Sequence, residues 1–318
     1  VVEVGYTLSS EEFGVGDLAE YAGRAEDAGF TFALVSDHYH PWVESQGEAP
    51  FVWTTLGAVA NETDDLRVGT GVTCPLVRVH PAIVAQAAAT TAAAFDGRFF
   101  LGLGTGERLN EHVLGDRWPP HHVRLEMLAE AVGILRDLWG GDLTSHDGEH
   151  YTVENARLFT LPDERPEVAI AASGERTARF AGEYGDALVS TAPDGDVVDQ
   201  FEATGDGDAR RYAQATVCWA ETEAEARETA AEYWPNGALA GKLGQELPTP
   251  THFEEATQHV DEDDVAGTFP CSPDPDDHVE SIQAYLDAGF DHVYVHQVGP
   301  RQVDAIEFYA EEVLPSFD

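Results

Sequence analysis

The stretch Ser36-Asp37-His38-Tyr39-His40-Pro41-Trp42 gathers a carboxylate, two imidazoles and an indole within seven residues. It follows a short apolar run, Phe32-Ala33-Leu34-Val35, that reads as a buried parallel strand. An imidazole with its ordinary pKa of about 6.5 suits proton transfer near neutral pH. A second cluster, Gly102-Leu103-Gly104-Thr105-Gly106-Glu107-Arg108-Leu109-Asn110-Glu111, follows another apolar run, Arg98-Phe99-Phe100-Leu101. Its glycines allow close backbone approach to a ligand, and Glu107 brings a second proton-carrying group. The spacing is not that of a dinucleotide fingerprint.

Each candidate has a plainer reading. His38 and His40 alternate, so an extended chain would point both the same way, as a metal pair needs. No further His or Cys stands nearby and Pro41 bends the chain at once, so no metal is expected. A buried structural histidine is the other alternative. Asn110 either holds a ligand carbonyl or caps a helix. Ala171-Ala172-Ser173-Gly174-Glu175-Arg176-Thr177 runs from a strand into a helix, where backbone N–H groups and Arg176 suit a phosphate. Ser173 could equally be only an N-cap. Gly69-Thr70-Gly71-Val72-Thr73-Cys74-Pro75 ends a strand, and its two glycines and proline suggest either an unusual backbone under the site or an ordinary turn.

The elements that must position these groups alternate in type. Strand candidates fall at Val2 to Thr7, Phe32 to Ser36, Leu66 to Thr73, Arg98 to Gly102, Val168 to Ala172, Ala187 to Ser190, Tyr212 to Ala220 and His292 to His296. Amphipathic segments separate them. Pro81 opens one helix where its missing N–H costs nothing. Leu125, Leu128, Val132 and Leu135 stripe another, and Val303, Ile306, Ala310 and Val313 the last. Eight strands with intervening helices argue for a single (β/α)8 barrel over 1–318, with sites at the C-terminal rim. The segment 233–269 is rich in Pro, Gly and polar residues and reads as an insertion over that rim. The runs 205–208 and 261–264 read as solvated acidic loops.

The 318 residues include 59 acidic and 17 basic ones, a net charge of −42. Such a surface repels nucleic acid and anionic membranes and suits very high salt, where screening removes self-repulsion. Lys242 is the only lysine. Cys74, Cys218 and Cys271 match no CxxC pattern and read as reduced thiols of a soluble, cytoplasmic protein, as does the lack of a signal peptide or long apolar run.

Taken together, the chain resembles the luciferase-like superfamily of flavin and deazaflavin barrels, and more narrowly the glucose-6-phosphate dehydrogenases that use coenzyme F420. The resemblance rests on Ser10-Glu11, the Ser36 to Trp42 stretch, Ala49-Pro50-Phe51, the turn after strand three, His80-Pro81-Ala82, Ala85-Gln86, Gly104 to Glu107, Asn110-Glu111 and Asp274-Pro275-Asp276. It implies a TIM barrel of the luciferase-like type, a homodimer, and a deazaflavin across the rim. By that resemblance Asp37, Thr105, Gly106 and Asn110 contact the coenzyme, with Cys74 where the family has a threonine. Gly71 and Val72 match a non-proline cis peptide behind the ring. Ser173, Gly174, Arg176 and Thr177 hold its phosphate. His38, Trp42 and Glu107 form the catalytic group, His38 at the substrate hydroxyl and Glu107 near N1 of the ring, although the reverse assignment stays open.

Glu11, Thr191, Lys242 and Gln245 fall on the substrate side. The family holds a substrate phosphate with two lysines and an arginine; here Asp194, Gly244 and Thr268 stand in their places, and Gln245 replaces a histidine. A dianion desolvated without cations binds poorly. The expected substrate is therefore an unphosphorylated sugar or another small alcohol. Use of glucose-6-phosphate through Lys242, a flavin-dependent monooxygenase and a non-catalytic coenzyme carrier are the alternatives.

Overall fold

Largely apolar runs of four to seven residues, too short for helices, form the strands of the barrel. The computed structural model describes residues 2–317. Its strands are β1 (Glu3–Leu8), β2 (Phe32–Val35), β3 (Arg67–Thr70), β4 (Phe99–Leu103), β5 (Thr144–Asp147), β6 (Thr152–Ala156), β7 (Glu167–Ala171), β8 (Ala187–Ser190), β9 (Arg211–Val217) and β10 (His292–Gln297). Eight of them close a barrel in the order β1-β10-β9-β8-β7-β4-β3-β2, every pairing parallel. All eight candidates from the sequence are barrel strands. β5 and β6 form an antiparallel hairpin outside the barrel, which the sequence pattern did not reveal because its residues are mostly polar and exposed.

The helices are α1 (Val15–Ala28), α2 (Val52–Glu62), α3 (Pro81–Ala94), α4 (Arg108–Glu111), α5 (His121–Trp139), α6 (Glu175–Tyr184), α7 (Gly195–Glu202), α8 (Glu223–Tyr233), α9 (Leu243–Glu246), α10 (Pro250–Thr257), α11 (Glu262–Ala266), α12 (Pro275–Asp287) and α13 (Gln302–Phe308). A π turn, Tyr309–Val313, follows α13. It shifts the phase of the last helix, so Ala305, Ile306, Tyr309 and Val313 are buried in place of the simple stripe expected from Val303. Among the described residues no helix is long and apolar enough to cross a membrane.

The barrel interior has two ends. Phe32, Phe100 and Tyr212 are fully buried at the N-terminal end, where Phe100 and Tyr212 stack at 4.8 Å. Along β9 the side chains of Ala213, Ala215 and Val217 join the core cluster that includes helix residues, while Tyr212 joins the interior cluster. Period-two alternation then turns Gln214 and Thr216 inward. The bottom is packed with rings; the top is left to polar side chains and a cavity.

Residues 233–269 contain a 3-10 turn and three short helices. Phe253 of α10 meets Trp42 edge to face at 5.2 Å, and Leu239 and Leu247 join the same apolar cluster with Val43 and Leu109. This segment therefore packs on the loops that follow β2 and β4. Asp261 to Asp264 is not a loop: Asp261 caps α11 and exchanges bonds with Asp264 in a capping box.

Candidate active site

At the C-terminal rim the barrel opens into a cavity of about 610 Å³. Twelve of the residues singled out from sequence line it. His38, Trp42 and Glu107 do so from the loops after β2 and β4. Gly71 and Val72, joined by a cis peptide, line it after β3, and Thr105 and Gly106 after β4. Ser173 and Thr177 lie at the start of α6. Glu11, Thr191 and Gln245 complete the set.

His38 is gripped at both nitrogens. Nδ1 lies 3.0 Å from the His40 carbonyl, which can only accept, so Nδ1 carries a proton. Nε2 lies 3.3 Å from Glu11 Oε1. The imidazole packs 5.0 Å from the Trp42 ring. Glu11 is itself buried and accepts from Ser36 Oγ at 2.5 Å and Ser9 Oγ at 3.2 Å. Burial pushes its carboxyl upward, but the neighbouring His38 and the Ser36 hydroxyl outweigh that and hold it below the usual range. His40 turns away from His38: its Nδ1 meets the Leu109 carbonyl at 3.0 Å and its ring stacks on His112. The two histidines do not form a pair, and among the described residues no cluster is suited to a metal.

Six of the expected contact residues stand back from the cavity wall. Both Asp37 oxygens are taken, Oδ1 by Arg78 at 2.7 Å and Oδ2 by Thr73 at 2.8 Å. Cys74 is buried with its thiol pushed well up by desolvation, then by Glu111 and Glu107. It abuts Gly106, whose φ of +72° and whose missing Cβ, 2.5 Å from Sγ if present, both demand glycine. Asn110 is no helix cap. Its Oδ1 accepts from the backbone N–H of Tyr39 and His40 at 2.9 and 3.3 Å, which fixes the His38 loop, and its buried Nδ2 has no partner. Gly174 is the N-cap of α6, so Ser173 is not. Arg176 and Lys242 are exposed, and neither lines the wall.

The polar groups under the rim form a network that sequence reasoning missed. Arg78 is bound to Asp37 and also donates to Glu111, backbone N–H at 2.8 Å and Nε at 3.4 Å. This joins the loops after β2, β3 and β4. Burial raises the Glu111 carboxyl above its ordinary range despite Arg78. His296, Gln214, Thr216, Thr7 and Trp234 also line the cavity and were not singled out. For Gln214, Thr216 and His296 the signal was strand parity, since polar residues alternated with the apolar set on β9 and β10.

The wall fits a flat heterocycle. One side is built from small residues, Gly71, Gly104, Gly106, Ala171 and Ala172, and the N-terminus of α6 with Ser173 and Thr177 stands at one end. The unpartnered Nδ2 of Asn110 is a donor in want of an acceptor. Among the described residues no Lys or Arg lines the cavity, whereas two carboxylates, Glu11 and Glu107, do. Asp194, which stands where a phosphate-binding lysine was expected, caps α7 through the Asp196 N–H and lies outside.

Known proteins match over the whole chain. Residues 2–292 match the model of the luciferase-like monooxygenase family. The F420-dependent hydroxymycolic acid dehydrogenase of Mycobacterium tuberculosis is 36% identical over 98% of this chain and 87% of its own length. The F420-dependent glucose-6-phosphate dehydrogenase of Microbacterium testaceum is 34% identical over 98% and 96%. A solved F420-dependent secondary alcohol dehydrogenase, in complex with an F420-acetone adduct, superposes with a TM-score of 0.93 at 28% identity, covering 100% of this chain and 99% of that one. The chain belongs to the luciferase-like monooxygenase family.

Proposed function

We propose that the protein is a coenzyme F420-dependent dehydrogenase that oxidises an uncharged sugar or secondary alcohol. The F420-dependent relatives support the coenzyme. The observation that carries the substrate charge is the cavity wall, with two carboxylates and, among the described residues, no Lys or Arg. A phosphate dianion placed there is repelled and left unpaired.

A deazaflavin bound here would supply the carbon that accepts a hydride. Thr105, the Gly71-Val72 turn and the start of α6 with Ser173 and Thr177 would hold it, and Asn110 acts behind the wall by fixing the loop that carries His38. His38 takes the proton of the substrate hydroxyl at Nε2, and the imidazolium so formed is stabilised by the Glu11 carboxylate and the His40 carbonyl. The carboxyl of Glu107 has no side-chain partner among the described residues and serves as the second proton carrier, toward the coenzyme. Trp42, held by Phe253, excludes water over the substrate. Residues 233–269 act as the cover of one barrel domain. Asp37 acts through Arg78 and Thr73 on the loops around it.

A homodimer is the assembly that the family resemblance implies for this chain. The acidic surface supports a cytoplasm of high salt. Bleaching of the oxidised deazaflavin band by a panel of sugars, sugar phosphates and secondary alcohols tests the reading. Bleaching is expected with uncharged substrates. Its absence with every alcohol and sugar, or a preference for phosphorylated ones, overturns it.

A further inference from the structure

Three barrel strands present polar side chains in one row at the cavity floor. His296 of β10 pairs in register with Thr216 of β9, and Thr7 of β1 follows the paired Tyr6 and Val295. Thr7, Gln214, Thr216 and His296 all line the cavity. The floor lies on the Glu11 side, away from the small-residue wall after β3 and β4.

Gln214, Thr216 and His296 bond among themselves, but part of the hydrogen-bonding capacity of this row is unspent. Thr7 Oγ1 is buried and has no partner. His296 Nδ1 faces the Gln214 amide nitrogen at 3.4 Å and the Thr216 hydroxyl at 3.5 Å. An amide NH₂ only donates, so Nδ1 accepts and the proton sits on Nε2. Burial lowers the imidazole to about 4, against the opposing pull of Glu11, so the ring is a neutral donor. Trp234 fixes it edge to face at 4.4 Å. A buried hydroxyl without a partner is costly unless a ligand answers it, and the His296 N–H adds a second donor on the cavity lining. A mono-alcohol brings one hydroxyl, which His38 takes. A cyclic polyol brings several.

We infer that His296 and Thr7 form a subsite for a further hydroxyl of the substrate, and that this subsite selects polyhydroxylated substrates over simple secondary alcohols. The inference rests on the proposed dehydrogenase reading for its reaction, but binding alone suffices to test it. Sites built to bond a hydroxyl reject analogues that lack it far more strongly than apolar pockets reject a missing methylene.

The experiment has two arms, with glucose and 2-propanol as probes on the wild type, His296→Phe and His296→Gln. Calorimetric titration of glucose into the protein measures binding. Deazaflavin bleaching measures turnover. The expected result is glucose binding weakened tenfold or more by His296→Phe, with partial rescue by His296→Gln, which keeps an N–H. On turnover the Phe variant should raise KM for glucose and lower kcat/KM for glucose at least tenfold more than kcat/KM for 2-propanol. Equal losses on both probes, no loss on glucose, or no binding of glucose by the wild type overturns the subsite. Binding that depends on His296 without any bleaching sustains the subsite and removes the dehydrogenase reading instead.

Discussion

His38 Nε2 lies 3.3 Å from Oε1 of the buried Glu11. The carboxylate faces the nitrogen that receives a proton in the proposed reaction, while the His40 carbonyl at Nδ1 fixes the other. A base held this way is oriented and its protonated form is stabilised by a charge in a poorly solvated place. Glu11→Gln keeps the size and removes the charge. It should lower kcat by about 10- to 100-fold without changing coenzyme affinity, as measured by steady-state rates beside fluorescence titration of the deazaflavin.

Glu12, the next residue, behaves in the opposite way. It is buried, accepts from the Gly299 N–H at 2.9 Å, and has one oxygen with no partner. Desolvation, followed by repulsion from Glu11, raises it to about 8. Its folded pKa lies above its unfolded one, so the stability it contributes is complete below pH 4.5 and is lost as pH rises to about 8, at roughly 1.4 kcal/mol per pH unit. Glu12→Gln removes this dependence. Thermal unfolding between pH 6 and 9 should show the wild type falling about 1.4 kcal/mol per unit more steeply than the variant up to pH 8.

Arg78 is the cation between two buried carboxylates, Asp37 and Glu111. Its side chain is 7% exposed. Attraction to both outweighs the cost of its own burial and raises its pKa. Arg78→Met leaves two carboxylates facing each other without compensation. The expected cost is about 3–5 kcal/mol, read by chemical denaturation at high salt. A loss under 1 kcal/mol would show that the triad does not hold the three loops.

Thr268 lines the cavity at the place where an arginine was expected from the resemblance. Thr268→Arg restores a cation there. The ratio of kcat/KM for glucose-6-phosphate to that for glucose should rise at least tenfold. Lys242→Ala should leave that ratio unchanged, because Lys242 is exposed and off the wall.

Salt should govern stability. With a net charge of −42, self-repulsion grows as screening weakens from a length of about 3 Å at 1 M to about 30 Å at 0.01 M. The melting temperature should fall steadily on dilution of salt. A melting temperature independent of salt would contradict the adaptation read from the composition.

The barrel was legible because strand-length apolar runs and helical stripes alternate along the chain, and each run became a barrel strand. The residues of the rim loops were legible by type, as with His38 and Glu107. What was not legible is where each side chain ends. Asp37 and Asn110 looked like ligand contacts, yet their acceptor oxygens are taken by Arg78, Thr73 and backbone N–H groups. Arg78 stands alone in the sequence, and only folding brings it between loops 33 and 41 residues away. His296 and Gln214 were hidden for a different reason. Toward the rim of β9 and β10 the apolar residues face the helices, so the polar ones between them, easily read as solvent-facing, line the cavity.

The central claim is that His38 and Glu107 move protons around one bound deazaflavin. It is tested most directly by mixing the oxidised coenzyme with wild-type protein, His38→Ala and Glu107→Gln, then adding glucose and following the visible band in a stopped flow. All three should bind the coenzyme with similar affinity, the wild type should bleach it in a single turnover, and both variants should do so at least 100-fold more slowly. Bleaching by the variants at the wild-type rate, or tight binding of flavin mononucleotide with oxygen consumption and no response from the deazaflavin, would contradict the account.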